Sequence, residues 1–256
     1  MEYFVEVIVK TNRRNLFIGI ADIGLGLILN SCSNTISSST IEKQTQPSHE
    51  ENKQENEITA TEDLMHEHGV LRRALFVYSE LSARLRNNHQ DNAADALNKT
   101  AKLFRNFGEE YHEKKLEEAY IFPAIIKSNS EADGYPDILI SQHNRGRQLT
   151  DYIIDVTQGA KLNSRNVETL VSALESFVRM YRPHAAREDT VVFPEWKQIL
   201  SPEQLDEMNE KFEEIEHQLF GNEGFENVVR QIAAIETELG LADLAQFTPP
   251  PMVKSV

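Results

Sequence analysis

The chain has 256 residues, of which 40% are hydrophobic and 26% are charged, so most of it can bury a core. Its 26 basic and 41 acidic residues leave a net charge of −15, which argues against nucleic acid as a partner, because that binding needs clustered Lys and Arg. The single cysteine, Cys32, excludes an intramolecular disulfide, a multi-cysteine zinc site and an iron–sulfur cluster held by this chain alone.

Residues 1–32 are typical of an export signal. Arg13 and Arg14 precede an apolar stretch that is too short to span a membrane, and the pair resembles a twin-arginine signal. The leucine three residues before Cys32 and the serine directly before it resemble a bacterial lipobox, in which the cysteine is acylated. We therefore expect a lipoprotein of the cell envelope, anchored to the membrane through Cys32. The alternative is an N-terminal helix with an incidental arginine pair.

Residues 33–60 are predicted to form a disordered linker. They are rich in Ser, Thr, Asn, Gln, Glu and Lys and contain no Phe, Trp or Tyr. Such a composition cannot bury enough apolar surface to offset the entropy of ordering the chain. From Thr61 onward apolar residues recur at helical spacing, so we assign residues 61–240 to a folded domain and residues 241–256 to a C-terminal tail.

Six helices are predicted in the folded domain. In the first, Leu64, Leu71 and Tyr78 recur at a spacing of seven, and the helix is expected to end near Arg86. Cap residues, Gly and Pro bound the others, at about 91–127, 136–157, 164–200, 202–220 and 224–239. Strand signals are nearly absent. The pattern predicts an all-α fold, an antiparallel four-helix bundle with additional short C-terminal helices.

Each of the four main helices carries a histidine, and two of them add carboxylates. The histidines are His68, His112, His143 and His184. His184 and Glu188 are four residues apart, which leaves them about 40° apart on one helix face. A bundle core can hold a dinuclear metal centre built from such residues. Imidazole and carboxylate ligands without thiolate favour iron, manganese or zinc, and ligand type alone does not choose among these metals.

Residues 61–240 resemble the hemerythrin-like cation-binding domain, also called the HHE domain. The stretches that carry the resemblance are Glu62-Asp63-Leu64-Met65 with His68, His112 through Pro123, Gln142-His143, Arg182-Pro183-His184 through Pro194, and Glu216 through Gly221. The resemblance implies a non-haem di-iron site inside a four-helix bundle. The ligands that it implies are His68, His112, Glu117, His143, His184 and Glu188.

The spacing on the second helix departs from this family. His112 and Glu117 are five residues apart, where the usual family spacing is four, and in a straight α-helix they would lie about 140° apart. One π-bulge between them would absorb the extra residue. Alternatively Glu113, about 40° from Glu117, replaces the histidine and makes the site richer in carboxylate. A third possibility is a site that has lost a ligand and binds metal poorly.

The resemblance leaves the activity open, because relatives include oxygen carriers, oxygen or iron sensors and proteins that repair nitrosatively damaged iron centres. We expect two iron ions, with zinc or manganese as the other metals that suit these ligands, and a small-molecule partner such as oxygen or nitric oxide. The alternatives are a di-iron enzyme for nitric oxide or peroxide detoxification or iron-centre repair, and a structural bundle whose site is empty or holds zinc. Asp189 is expected beside the ligands or in solvent, and Tyr111 and Tyr181 are expected as packing residues.

Overall fold

The computed structural model describes residues 58–89, 91–159 and 161–252, so the predicted export signal and Cys32 lie outside the described residues. Every helix or strand assigned in this part of the chain is helical, which confirms the all-α prediction. Among these residues, no helix combines the length and the apolar character needed to cross a lipid bilayer.

Six helices and one short 3-10 turn follow one another along the chain. The bounds are α1 (Ala60–Arg86); α2, which runs as α-helix over Ala93–Leu103, as π-helix over Phe104–Ile121 and as α-helix over Phe122–Ser128; α3 (Tyr135–Val156); α4, which runs as α-helix over Val167–Arg187, as π-helix over Glu188–Val192 and as α-helix over Phe193–Ile199; α5 (Pro202–Phe220); α6 (Gly224–Glu238); and the 3-10 turn (Leu244–Phe247).

Helix α1 begins one residue earlier than the sequence predicts. Thr59 is its N-cap: the Thr59 side chain accepts the backbone N–H of Glu62, and the Glu62 carboxylate accepts the backbone N–H of Thr59. This reciprocal pair satisfies two backbone donors that a helix start leaves unpaired. Ala60, which the sequence assigns to the linker, is therefore buried as the first residue of the helix. The 3-10 turn lies in the predicted tail, and its Phe247 packs edge-on against Phe76.

The four helices α1 to α4 form a closed ring, in which each helix packs against two neighbours. Aromatic side chains fill one part of the core: Phe177 packs edge-on against Tyr78 and Phe104 and stacks on Tyr181, with ring centroids 4.7–5.3 Å apart. Burial of each such side chain contributes about 1.5–3 kcal/mol. Helices α5 and α6 pack outside the ring, against α1 and α2.

Each of the two π-helical runs ends directly before a Phe-Pro pair. The backbone N–H of Phe122 donates to the carbonyl oxygen of Glu117, and that of Phe193 donates to the carbonyl oxygen of Glu188, in both cases five residues back. The next residue in each helix is a proline, which has no N–H and whose ring clashes with a carbonyl four residues back in a regular α-helix. In α2 the wider winding extends over 18 residues, far beyond the single bulge that the sequence suggests.

Candidate metal centre

The bundle brings all six predicted ligand residues to one place, and every one of them is buried. The histidines meet in two pairs. His68 Nε2 lies 3.0 Å from His112 Nε2, and His143 Nε2 lies 3.1 Å from His184 Nε2. One pair joins α1 to α2 and the other joins α3 to α4, so the two halves of the bundle supply equivalent parts of the site.

The two glutamates lie between the histidine pairs. Glu117 places Oε1 3.3 Å from His112 Nε2 and Oε2 3.3 Å from His143 Nε2. Glu188 places Oε2 3.5 Å from His68 Nε2 and Oε1 3.1 Å from His184 Nε2. Each carboxylate therefore faces one histidine of each pair, which is the arrangement of a bridging ligand.

The chemistry of these atoms fits a bound cation. None of the four carboxylate oxygens of Glu117 and Glu188 has a hydrogen-bond partner among the described residues, although all four are buried. A buried carboxylate oxygen without a hydrogen bond is unfavourable, and a metal ion bound to it would offset that cost. The paired imidazole nitrogens, 3.0 Å and 3.1 Å apart, are close enough to hold one ion together.

The second ring nitrogen of each histidine is also occupied. His68 Nδ1–H donates to Asp189 over 2.6 Å, and His143 Nδ1–H donates to Glu118 over 2.8 Å. Asp189 and Glu118 each directly follow one of the two central glutamates in the sequence. Because Nδ1 carries the proton, Nε2 presents its lone pair to the centre. Asp189 is thus beside the ligands, one of the two positions that the sequence predicts for it.

The ring nitrogens Nδ1 of His112 and His184 also have partners. In each case the partner directly precedes the other histidine of the pair in the sequence. His112 Nδ1 lies 2.6 Å from Glu67, and His184 Nδ1 lies 2.8 Å from the amide oxygen of Gln142. The hydroxyl of Tyr111 donates to Glu67 over 2.9 Å, so this tyrosine has a polar role as well as the predicted packing role. No role was predicted from the sequence for Glu67, Gln142 or Glu118, although each lies directly beside a candidate ligand residue, which is the signal that could have indicated one.

Glu113 does not take the place of His112. Its Oε1 accepts the Tyr181 hydroxyl over 2.6 Å, and its Oε2 accepts Arg147 Nη2 over 3.0 Å. Glu113, Glu118 and His143 also come close enough to hold a cation, but the Arg147 guanidinium already bonds both carboxylates. The π-helical winding turns His112 toward Glu117, as the bulge hypothesis predicts.

The pKa values of the buried histidines and glutamates show where a proton competes with a metal ion for a ligand atom. Burial, together with the neighbouring His112, lowers the pKa of His68 to about 3, so His68 stays neutral. Burial also acts to lower the pKa of His112, but Glu117 and Glu67 outweigh it and raise that pKa to about 10. Conversely, burial acts to raise the pKa of Glu117, and His112 outweighs it and lowers that pKa well below its ordinary value. A metal ion must therefore displace a proton from His112 when it binds.

A cavity of about 10 Å³ lies against the centre between α1 and α4. Besides ligand residues and Glu113, its walls are Leu71, Arg72, Leu75, Tyr181 and Ala185. This volume is close to the minimum that one water molecule needs. The open space at the ligand residues is therefore small, about the size of one water molecule.

A helical bundle with buried histidine pairs joined by carboxylates defines a cation-binding bundle protein. The family model "Hemerythrin HHE cation binding domain" matches residues 59–196, and the chain belongs to that family. This confirms the resemblance stated from the sequence motifs. The match ends before α5, so the last two helices lie outside the region that defines the family.

Three mycobacterial proteins are similar to this chain over most of its length. They are "Uncharacterized protein Mb2018" of Mycobacterium bovis and, from two strains of Mycobacterium tuberculosis, "Uncharacterized protein MT2051" and "Uncharacterized protein Rv1995". Each is 44% identical over 197 residues, which cover 77% of this chain and 76% of the relative. No solved structure matches the chain at a significant level.

Proposed function

We propose that the protein holds two iron ions and reversibly binds oxygen or nitric oxide there. One ion would lie at His68 and His112 and the other at His143 and His184. The position of Glu117 carries this proposal, because its two oxygens face different histidine pairs at equal distances of 3.3 Å. With Glu188 in the same arrangement, each ion would have two nitrogen and two oxygen ligands, a donor set that suits iron.

Iron held by these residues would supply the coordination chemistry for a small molecule, provided that four protein ligands per ion leave a position open. The walls of the adjacent cavity decide which molecule fits. Leu71, Leu75 and Ala185 give it an apolar side, and its size excludes organic substrates. Oxygen and nitric oxide are small and weakly solvated, so they suit a confined site with an apolar side.

Anaerobic reconstitution tests the proposal. The purified protein is loaded with ferrous iron, its metal content is measured, and oxygen or nitric oxide is then added and removed while the spectrum is recorded. We expect two irons per chain and a charge-transfer band that forms and disappears reversibly. Glu117→Gln should lose iron, whereas Glu175→Gln, a change at an exposed glutamate, should keep both ions. One zinc per chain and no iron, after growth with both metals, contradicts the proposal.

An enzyme that turns over peroxide or nitric oxide is the second candidate, and Tyr181 favours it. The Tyr181 ring lines the cavity, and its hydroxyl is hydrogen-bonded to Glu113, which lines the cavity too. A buried donor at this position could deliver a proton to a molecule bound at the centre. Turnover of peroxide by the iron-loaded protein, reduced in Tyr181→Phe at unchanged iron content, would identify the enzyme rather than the carrier.

We also propose that the protein is anchored at the cell envelope through a lipid on Cys32. The support is the pattern of residues 1–32, in which an arginine pair, a short apolar stretch and a lipobox-like end occur in the order that export requires. Export by the twin-arginine route, which accepts folded cargo, would let the metal be loaded before the protein leaves the cytoplasm.

A further inference from the structure

The two halves of the bundle repeat an arginine as well as the ligands. Arg72 lies four residues after His68, and Arg147 lies four residues after His143. Each guanidinium binds the carboxylate that holds the preceding histidine: Arg72 binds Asp189, and Arg147 binds Glu118. The halves therefore share a His–carboxylate–Arg chain that leads outward from the centre.

The two arginines differ in their surroundings. The Arg147 side chain is 15% exposed and binds two carboxylates, those of Glu113 and Glu118, so its charge is neutralised inside the protein. The Arg72 side chain is 45% exposed, and Asp189 is its one ion-pair partner in the described part of the chain. The Arg72 guanidinium thus keeps more contact with solvent than the Arg147 guanidinium, and its charge is less completely neutralised.

Arg72 also lies where the cavity meets the solvent. Within the described residues, every other side chain that lines the cavity is buried, with Leu71 and Ala185 the most accessible at 6%. The route from solvent to the ligands therefore passes Arg72. Tyr181, which also lines the cavity, packs directly onto the backbone at Gly146 and leaves no room there even for a Cβ atom.

We infer that Arg72 is the entrance residue of the centre and attracts small inorganic anions, of the azide, nitrite or hydroperoxide type, toward the centre. This inference rests on the proposed function. A guanidinium stays charged at every accessible pH, and the apolar walls beside it concentrate its field. The overall charge of −15 would otherwise repel an anion. The positive charge of two bound divalent ions would exceed the negative charge of the Glu117 and Glu188 carboxylates, so the loaded centre itself would attract anions.

Ligand association with the iron-loaded full chain tests the inference, with azide as the anionic probe and nitric oxide as the neutral one. The variants are Arg72→Gln, which removes the charge, and Arg72→Lys, which keeps it. The matched control is Arg86→Gln, because Arg86 is also an exposed arginine on α1 with a carboxylate partner, Glu175. Iron content is measured for every variant, so that a loading defect is separated from a defect in ligand entry.

We expect Arg72→Gln to slow azide association about ten-fold at low salt and to weaken its dependence on ionic strength. Nitric oxide association should be slowed much less than azide association, Arg72→Lys should restore most of the azide rate, and Arg86→Gln should resemble the wild type. Equal slowing of azide and nitric oxide, or no slowing of either, overturns the inference. A wild-type protein that binds nitric oxide but not azide also overturns it and leaves the proposed function standing, whereas one that binds neither probe contradicts both.

Discussion

Three glutamates lie buried on α2 at intervals of four residues, and the surroundings of each carboxylate differ. Glu109 accepts the Thr150 hydroxyl over 2.5 Å and pairs with Arg105 over 2.7 Å. Glu113 is bonded by a tyrosine and an arginine. Glu117 has only histidine nitrogens around its oxygens in the described part of the chain. The protein thus neutralises two carboxylates with its own side chains and leaves the third for a cation.

His112 and Glu113 should therefore respond differently to substitution. We expect His112→Ala to reduce the iron content from two ions per chain to one or none, because it removes a nitrogen that faces the centre. Glu113→Gln should keep both ions, because that side chain bonds to Tyr181 and Arg147 instead. Metal analysis after reconstitution measures both. Loss of iron in Glu113→Gln with two ions retained in His112→Ala would show that the carboxylate is the ligand.

Glu109 should make the stability of the protein depend on pH. Burial raises the pKa of Glu109 from 4.5 to about 7, against the opposing hydrogen bond from Thr150. The folded state therefore holds this proton more tightly than the unfolded state. The resulting stabilisation is complete below pH 4.5 and is lost as the pH rises through about 7, a change of about 3 kcal/mol in the free energy of unfolding.

Denaturant unfolding of the wild type and of Glu109→Gln between pH 4 and pH 8 measures this effect. The wild type should lose stability relative to the variant over that range, because the glutamine stays neutral. Glu110→Gln is the control, since the Glu110 side chain on the same helix is 46% exposed. A wild-type-to-variant difference that is constant with pH would mean that Glu109 titrates normally.

At the scale of the helix, π-winding determines which residues of α2 face the centre. Phe107, His112, Glu117 and Phe122 are spaced by five and are all buried. In an α-helix, residues five apart point about 140° away from each other. Hydrogen bonds between residues five apart, as in a π-helix, bring residues with this spacing closer to one face. Phe122 then stacks on His143, with ring centroids 5.7 Å apart, so the same face supplies both a ligand and the wall behind another ligand.

The contact between α3 and α4 depends on the absence of a side chain at Gly146. A Cβ atom there would overlap the Tyr181 hydroxyl and lie 2.8 Å from Tyr181 Cε2. Gly146→Ala should therefore destabilise the protein by about 1–3 kcal/mol, the usual effect of overpacking. In a Tyr181→Phe background the same change should cost less, because the hydroxyl is gone. Thermal or denaturant unfolding of the four variants measures the difference, and equal costs in both backgrounds would contradict the packing argument.

At the scale of the whole molecule, helices α5 and α6 extend the bundle beyond the family region. Phe220 of α5 packs edge-on against Tyr111 at 5.4 Å, and Phe225 of α6 lies 6.3 Å from Phe107. These contacts cover the side of α2 on which Tyr111 bonds Glu67. The added helices therefore shield from water the hydrogen bonds that orient His112.

The location of the molecule should depend on its first 32 residues. Changing Arg13 and Arg14 to Lys should trap the precursor in the cytoplasm, because the twin-arginine route requires the pair. Cys32→Ala should abolish incorporation of labelled lipid, since it removes the only thiol in the chain. Fractionation and lipid labelling of the full-length protein measure both effects. Lipid labelling that persists in Cys32→Ala would exclude the lipoprotein proposal.

Much of the fold and the candidate ligand set could be predicted from the sequence. Apolar spacing is a local property of the chain, so the six helices lie within about three residues of their predicted bounds. His184 and Glu188 lie on one face because four residues nearly complete an α-helical turn. The motifs on the other helices indicated the remaining ligand residues, which the structure brings together.

The tertiary structure alone decided how these residues are oriented. The choice between His112 and Glu113 depended on the winding of α2 and on Arg147 and Tyr181 from other helices, none of which local spacing reports. The same holds for Arg72: its sequence position matches that of Arg147, and only the packing of the two halves makes the Arg72 side chain 45% exposed and the Arg147 side chain 15% exposed. Helix periodicity is set by neighbours along the chain, whereas burial, charge neutralisation and access to the centre are set by partners that are distant in sequence.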